Sequence, residues 1–116
     1  MSLEIAILVS GTGSNMQAIL EAIAQGRVDA RVSVVVSNNA SAPALKTAES
    51  YGVQAAAVPN AGLTREQHEQ AVLTELRKHK FDYIVLAGYM RVLTPAFLQQ
   101  FRHADGYFNV INIHPS

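Results

Sequence analysis

The sequence predicts an α/β protein: a five-stranded, open parallel sheet in the order 3-2-1-4-5 with helices on both faces. Three observations carry this. Apolar, β-branched runs alternate with segments of helical periodicity in a βαβαβαβαβ succession, which right-handed crossovers turn into a parallel sheet. The first run, Ile5 to Val9, holds no polar residue, as expected of a strand buried on both faces. The glycine-bearing turn Ser10-Gly11-Thr12-Gly13-Ser14-Asn15 follows it directly, at the carboxyl end of the strand, where sheets of this kind bind ligands.

Each element has its own signal. Met16 to Gln25 reads as a helix, with Met16, Ile19, Leu20 and Ile23 on one stripe and Gly26 as its stop. Val32 to Val36 is the second strand, broken by the polar Ser37-Asn38-Asn39. Pro43 suits a first helical turn, followed by Ala44 to Tyr51 and closed by Gly52. Val53 to Val58 is a short third strand. Thr64 and Gln67 form a capping box that opens a helix reaching His79, with Ala71, Val72 and Leu76 as its apolar stripe. Tyr83 to Ala87 is the fourth strand, ended by Gly88. Thr94 then caps, Pro95 takes the first turn, and Ala96 to Phe101 is a short helix. Asn109 to Ile113 is the fifth strand. No repeat, low-complexity segment or internal boundary interrupts the pattern.

The totals exclude several classes of function. The 116 residues are 49% hydrophobic and 16% charged, enough for one domain with a modest core. The formal net charge is zero, so no basic field holds nucleic acid or an anionic membrane surface. Cysteine is absent, which removes disulfides and thiolate metal sites. The chain enters Ile5 to Val9 without a basic n-region or small-residue cleavage site. No stretch approaches the roughly 20 apolar residues that span a bilayer. The expectation is a cytoplasmic protein with neither nucleic-acid nor membrane partners. A fifth strand ending near residue 116 leaves the sheet's outer edge uncovered. Residues 1–116 therefore read as the N-terminal portion of a single domain that is incomplete at its C-terminus, and the bare edge points to a homodimer or an unstable fragment.

Three segments carry chemistry. In the glycine turn, the backbone can approach a ligand closely and the following helix N-terminus offers free N–H groups, which suits a phosphate. Ser14 and Asn15 add side-chain donors. The dinucleotide fingerprint G-x-G-x-x-G fails because position 16 is Met16, and the acidic residue expected after the second strand is replaced by Ser37, Asn38 and Asn39. The Gly-Lys-Ser/Thr of a phosphate-binding P-loop is missing too. One phosphate on a small molecule fits better than a dinucleotide or a triphosphate; a tight turn with Ser14 or Asn15 as a plain cap is the alternative. In the loop after the fourth strand, Met90, Val92 and Leu93 suit the grip on a flat heterocycle, or they pack beneath the next helix. In the last strand, Asn112 and His114 are two apart and share a face. An amide and an imidazole side by side can hold a developing oxyanion and move a proton. Arg65 opposes the dipole in its helix's first turn, as an anion contact or a solvated side chain. His68, His79 and His103 show no metal-ligand spacing and read as surface histidines; Asp82 and Asp105 read as turn or strand-edge residues.

Ser10-Gly11-Thr12-Gly13-Ser14-Asn15 paired with Asn112-Ile113-His114-Pro115-Ser116, and Leu86-Ala87-Gly88-Tyr89-Met90-Arg91-Val92-Leu93-Thr94-Pro95 between them, resemble the glycinamide ribonucleotide formyltransferase family. The likeness runs from Ile5 to Ser116. It implies a Rossmann-like formyltransferase fold and, as activity, formyl transfer from 10-formyltetrahydrofolate, a co-substrate, to the amine of glycinamide ribonucleotide in purine synthesis, with no metal. It implies that Gly13, Ser14 and Asn15 hold the substrate's 5′-phosphate, that Arg65 lies near the folate, and that Met90, Arg91, Val92 and Leu93 line the pterin pocket with Asn112 beside them. Asn112 and His114 would be catalytic. The family also uses an aspartate from a later loop to support the imidazole, and no residue of this chain corresponds to it. The rivals are a formyl-folate hydrolase, a formyltransferase for another amine, a non-catalytic module binding a phosphorylated metabolite or folate, and a plain Rossmann-like domain binding NAD, which Met16 and the missing acidic residue disfavour.

Overall fold

Strands β1 (Leu3–Val9), β2 (Ala30–Ser37), β3 (Ala55–Ala57), β4 (Tyr83–Ala87) and β5 (Val110–Ile113) form one sheet in the order β3-β2-β1-β4-β5, every pairing parallel. This is the order that the sequence predicts. The computed structural model describes residues 3–90, 93–101 and 109–113. β1 takes the centre because residues Ile5 to Val9 can be buried on both sides; none is more than 6% exposed. Helices α1 (Ser14–Ala24) and α2 (Pro43–Ser50) cover one face and α3 (Arg65–Leu76) and α4 (Pro95–Gln99) the other. Ile5, Ile7 and Val9 pack with Met16 and Leu20 of α1 and with Ala44 and Ala48 of α2. Ala6 and Leu8, pointing the other way, pack with Val72, Leu73 and Leu76 of α3 and Phe97 of α4. The alternation that buries both faces of β1 thus sets the two-sided layer.

β2 breaks this alternation once. Ile5 pairs with Val32 but Ala6 pairs with Val34, so Ser33 is an extra residue in the strand, a bulge. Its hydroxyl donates to the Lys80 carbonyl at 2.6 Å. Val32 and Val35 consequently face the same helices, three residues apart, while Val34 and Val36 face the other pair.

β3 and α3 are shorter than expected, for reasons visible in the hydrogen bonds. β3 spans Ala55–Ala57 rather than Val53 to Val58. It is an edge strand with one neighbour, although Val35 N–H still donates to Gln54 O at 2.9 Å and Val58 N–H to Ser37 O at 2.8 Å. α3 stops at Leu76 instead of His79 because the chain tightens there: the Lys78 and His79 amides donate to Glu75 O and Leu76 O, three residues back.

His68 corrects a sequence expectation. It is not a surface histidine but 1% exposed, with Nε2 2.7 Å from Val58 O. That contact makes Nε2 the protonated nitrogen and ties α3 to the end of β3. With Glu69, Val72, Leu73 and Leu76 it forms the inner face of α3.

At the C-terminal end of α3, burial raises the Glu75 pKa, but hydrogen bonds and charge from His79 and Lys78 outweigh this and hold it below its ordinary 4.5. A carboxylate with a lowered folded-state pKa contributes stability above its unfolded pKa and loses it as the pH falls through the folded one. Glu75→Gln should lower the urea midpoint near neutral pH, and the two proteins should converge in strongly acidic buffer.

Candidate active site

The glycine turn leaves β1 at the carboxyl rim. Gly13 precedes α1 with φ +78°, and a Cβ there would stand 2.7 Å from Ala44 Cβ of α2. Both the left-handed backbone and the close approach of α2 therefore demand glycine. α2 holds the turn a second time, its Ala44 N–H donating to Gly11 O at 3.3 Å. Because the N-cap is glycine, no side chain caps α1, and its first turn holds no acidic residue; neither Ser14 nor Asn15 is the cap. The arrangement leaves the helix's positive end suited to an anion. Gly11 differs from Gly13. A Cβ at Gly11 would meet nothing within 4 Å and its φ is not positive, so no contact of the fold requires glycine there. What its missing side chain provides is open approach to the turn.

The loop after β4 meets this turn through Ser10, a buried residue that the sequence shows only as part of the turn motif. Ser10 N–H donates to Gly88 O at 3.2 Å, and Ser10 Oγ accepts the Met90 N–H at 2.7 Å. Gly88 turns the chain with φ +73°. Between the two loops lies a cleft of about 380 Å³, walled by residues 9–15 and by Ala87, Gly88 and Met90. A second hollow of about 590 Å³ adjoins it, sharing Ser10 and Met90 and carrying Asn38, Asn39 and Asn60 on its far side. A larger cavity of about 690 Å³ opens around Glu4, Arg31 and Lys80. It sits at the opposite, amino-terminal rim of the sheet, away from both loops, and its ion pair Arg31–Glu4 is satisfied within the chain.

The other expected site residues fall as follows. Met90 is 81% exposed and lines both hollows of the carboxyl rim. Leu93 is half-buried and packs against the cluster under α3 and α4. Arg65 is exposed in the first turn of α3 and lines neither hollow. Asn112 is exposed on β5, opposite Leu86 of β4. Val110 packs on the α3–α4 side, so Asn112, two residues on, lies on that same side of the sheet, as Leu86 does. Arg91, Val92, His103, Asp105 and His114 lie outside the described residues.

A second tie, also absent from the sequence reading, fixes the far end of the β4 loop. Glu69 of α3 is 6% exposed. Its Oε2 accepts the Thr94 N–H at 2.8 Å and its Oε1 accepts the Thr94 hydroxyl. Thr94 Oγ1 in turn accepts the Phe97 N–H at 3.2 Å as the N-cap of α4. The signal was present in the spacing: residues 68, 69, 72, 73 and 76 are the i, i+1, i+4, i+5, i+8 positions of one helix face, which places a carboxylate inside.

The family model described as Formyl transferase matches residues 3–116. The chain is 36% identical over 115 residues to phosphoribosylglycinamide formyltransferase of Escherichia coli (strain K12), an alignment covering 98% of this chain and 52% of that protein. It is 37% identical over 119 residues to phosphoribosylglycinamide formyltransferase of Haemophilus influenzae, covering 97% and 51%. Among solved structures it superposes on phosphoribosylglycinamide formyltransferase from Coxiella burnetii with a TM-score of 0.89 at 34% identity, over 100% of this chain and 53% of that one. The chain spans about half the length of the curated relatives it matches.

Proposed function

Because the chain belongs to the formyl transferase family, we propose that the protein carrying it moves a formyl group from 10-formyltetrahydrofolate to the amine of glycinamide ribonucleotide, a cytoplasmic step of purine synthesis. The observation that supports this most is the convergence of the glycine turn and the β4 loop on one cleft, joined by Ser10. An uncapped helix end on one wall suits a phosphorylated acceptor. An exposed Met90 on the other suits a flat donor.

In this reading Gly13, Ser14 and Asn15 hold the 5′-phosphate. Met90, Arg91, Val92 and Leu93 receive the pterin, and Arg65 lies toward the donor's anionic end. The acceptor amine attacks the formyl carbon, and a tetrahedral oxyanion forms. Asn112 donates its amide N–H to that oxygen, and protonated His114 donates beside it. Donors of this kind are each worth about 3–4 kcal/mol of barrier. The oxyanion then collapses and the bond from the formyl carbon to the folate nitrogen breaks, His114 handing its proton to that nitrogen as general acid while the proton shed by the attacking amine recharges the imidazole. A free imidazole, with a pKa of about 6.5, is mostly neutral at pH 7, so this role calls for a carboxylate beside it. The chemistry uses no metal.

The test is a formyl-transfer assay with glycinamide ribonucleotide, set beside the same mixture with water as sole acceptor. Formylated ribonucleotide appearing only with the amine supports the reading. Release of formate at an equal rate in both mixtures overturns it in favour of hydrolysis.

A further inference from the structure

We propose that Glu69 is the positioning residue of the donor side of the cleft: from inside α3 it clamps the far end of the 88–94 loop, as Ser10 clamps the near end. The proposal rests on the donor-binding reading of that loop given above. The geometry behind it does not.

A carboxylate that is 6% exposed is costly to bury unless its oxygens are matched by donors. Here both oxygens are spent on a single residue, Thr94, one on its backbone N–H and one on its hydroxyl. Two bonds from one planar group to one residue fix orientation as well as distance. Thr94 is thereby held while it caps α4, and α4 is itself anchored by Phe97, 1% exposed and packed against the Phe101 ring at 5.4 Å with a 48° tilt. At the other end Ser10 holds Gly88 O and the Met90 N–H. The loop is thus pinned at residues 88, 90 and 94, and the exposed Met90 side chain is displayed between the pins. Glu69 also stands one turn beyond Arg65 on the same side of α3, since residues four apart share a helix face. The carboxylate therefore sets the loop at a fixed offset from the first turn of α3, the two pieces assigned to the donor.

Glu69→Ala removes both acceptors and leaves the Thr94 N–H without its partner, while Val72, Leu73 and Leu76 keep α3 on the sheet. Glu69→Gln keeps one acceptor oxygen for that N–H and should restore part of the effect. The first readout is amide hydrogen exchange, which needs no ligand. Glu69→Ala should speed exchange across 88–94 and the start of α4 roughly tenfold, with the amides of β1 and β2 unchanged. The second is steady-state kinetics. The KM for the formyl donor should rise roughly tenfold, with kcat and the KM for the phosphorylated amine within about twofold, and Glu69→Gln should fall between. Unchanged exchange in the loop overturns the proposal, as does exchange accelerated evenly through the sheet, or an equal loss in both KM values and kcat. If the wild-type protein uses no formyl donor, the functional reading falls, and the exchange result alone decides the clamp.

Discussion

Asn112→Ala is expected to lower the turnover of formyl transfer by about a hundredfold or more, with binding of the phosphorylated acceptor largely retained. The reason is positional. Asn112 is exposed on an edge strand, so its truncation leaves no hole in either core. In the proposed mechanism, what is lost is a donor that acts only when negative charge has formed on the formyl oxygen, and such a loss appears in kcat rather than in ground-state binding. His114→Ala should behave alike. Single-turnover rates, beside titration of the phosphorylated acceptor, separate the two effects. Near-normal turnover in either variant refutes the assignment of Asn112 and His114.

The two glycines of the turn should fail in opposite ways. Gly13→Ala forces a side chain into a left-handed backbone, at about 1–2 kcal/mol, and drives its Cβ to 2.7 Å from Ala44 Cβ. Overpacking of this kind adds about 1–3 kcal/mol. α2 must shift, or the turn must open, so the variant should lose several degrees in Tm whether or not ligand is present. Gly11→Ala meets no such obstacle, since open space surrounds that position and the backbone there is not left-handed. Its Tm should stay near wild type, while the KM for the phosphorylated acceptor rises, because a methyl would then stand where the proposed function brings the phosphate. A Gly11→Ala protein with unchanged KM would show that the acceptor does not come near this turn. Thermal melts and kinetics on the same preparations give both answers.

The strand order was legible because β1, β2 and β4 are runs that no surface strand could be, and because glycine, proline and threonine mark the turns between them. The start of α3 was legible to the residue: the capping box at Thr64 and Gln67 forms as written, with bonds of 3.0 and 3.1 Å. The extent of β3 was not, because Val53 to Val58 reads apolar while an edge strand with one neighbour keeps only a short ladder. His68 and Glu69 were misjudged or passed over for a different reason. Polar residue types suggest exposure, but their helical spacing puts them on the inner face, where Val58 O and Thr94 supply partners that lie distant in sequence. Ser10 was read as part of a motif and not as a tie, since its partner Met90 is 80 positions away. The meeting of the two loops could be predicted from topology; the bonds that join them could not.

The unpaired residue in β2 acts as a phase marker. Every side chain before it obeys one parity and every side chain after it obeys the other, so Val32 and Val35 end up as neighbours in the same oil layer. Substituting Ser33 alters a local contact with Lys80. Deleting it would set Val32 directly beside Val34, still opposite Ile5 and Ala6, so each side chain would keep its face of the sheet and only the local bend of the bulge would be lost. The two-sided pattern therefore does not depend on the extra residue; what it contributes is the strand's local bend and its hydroxyl bond to Lys80 O.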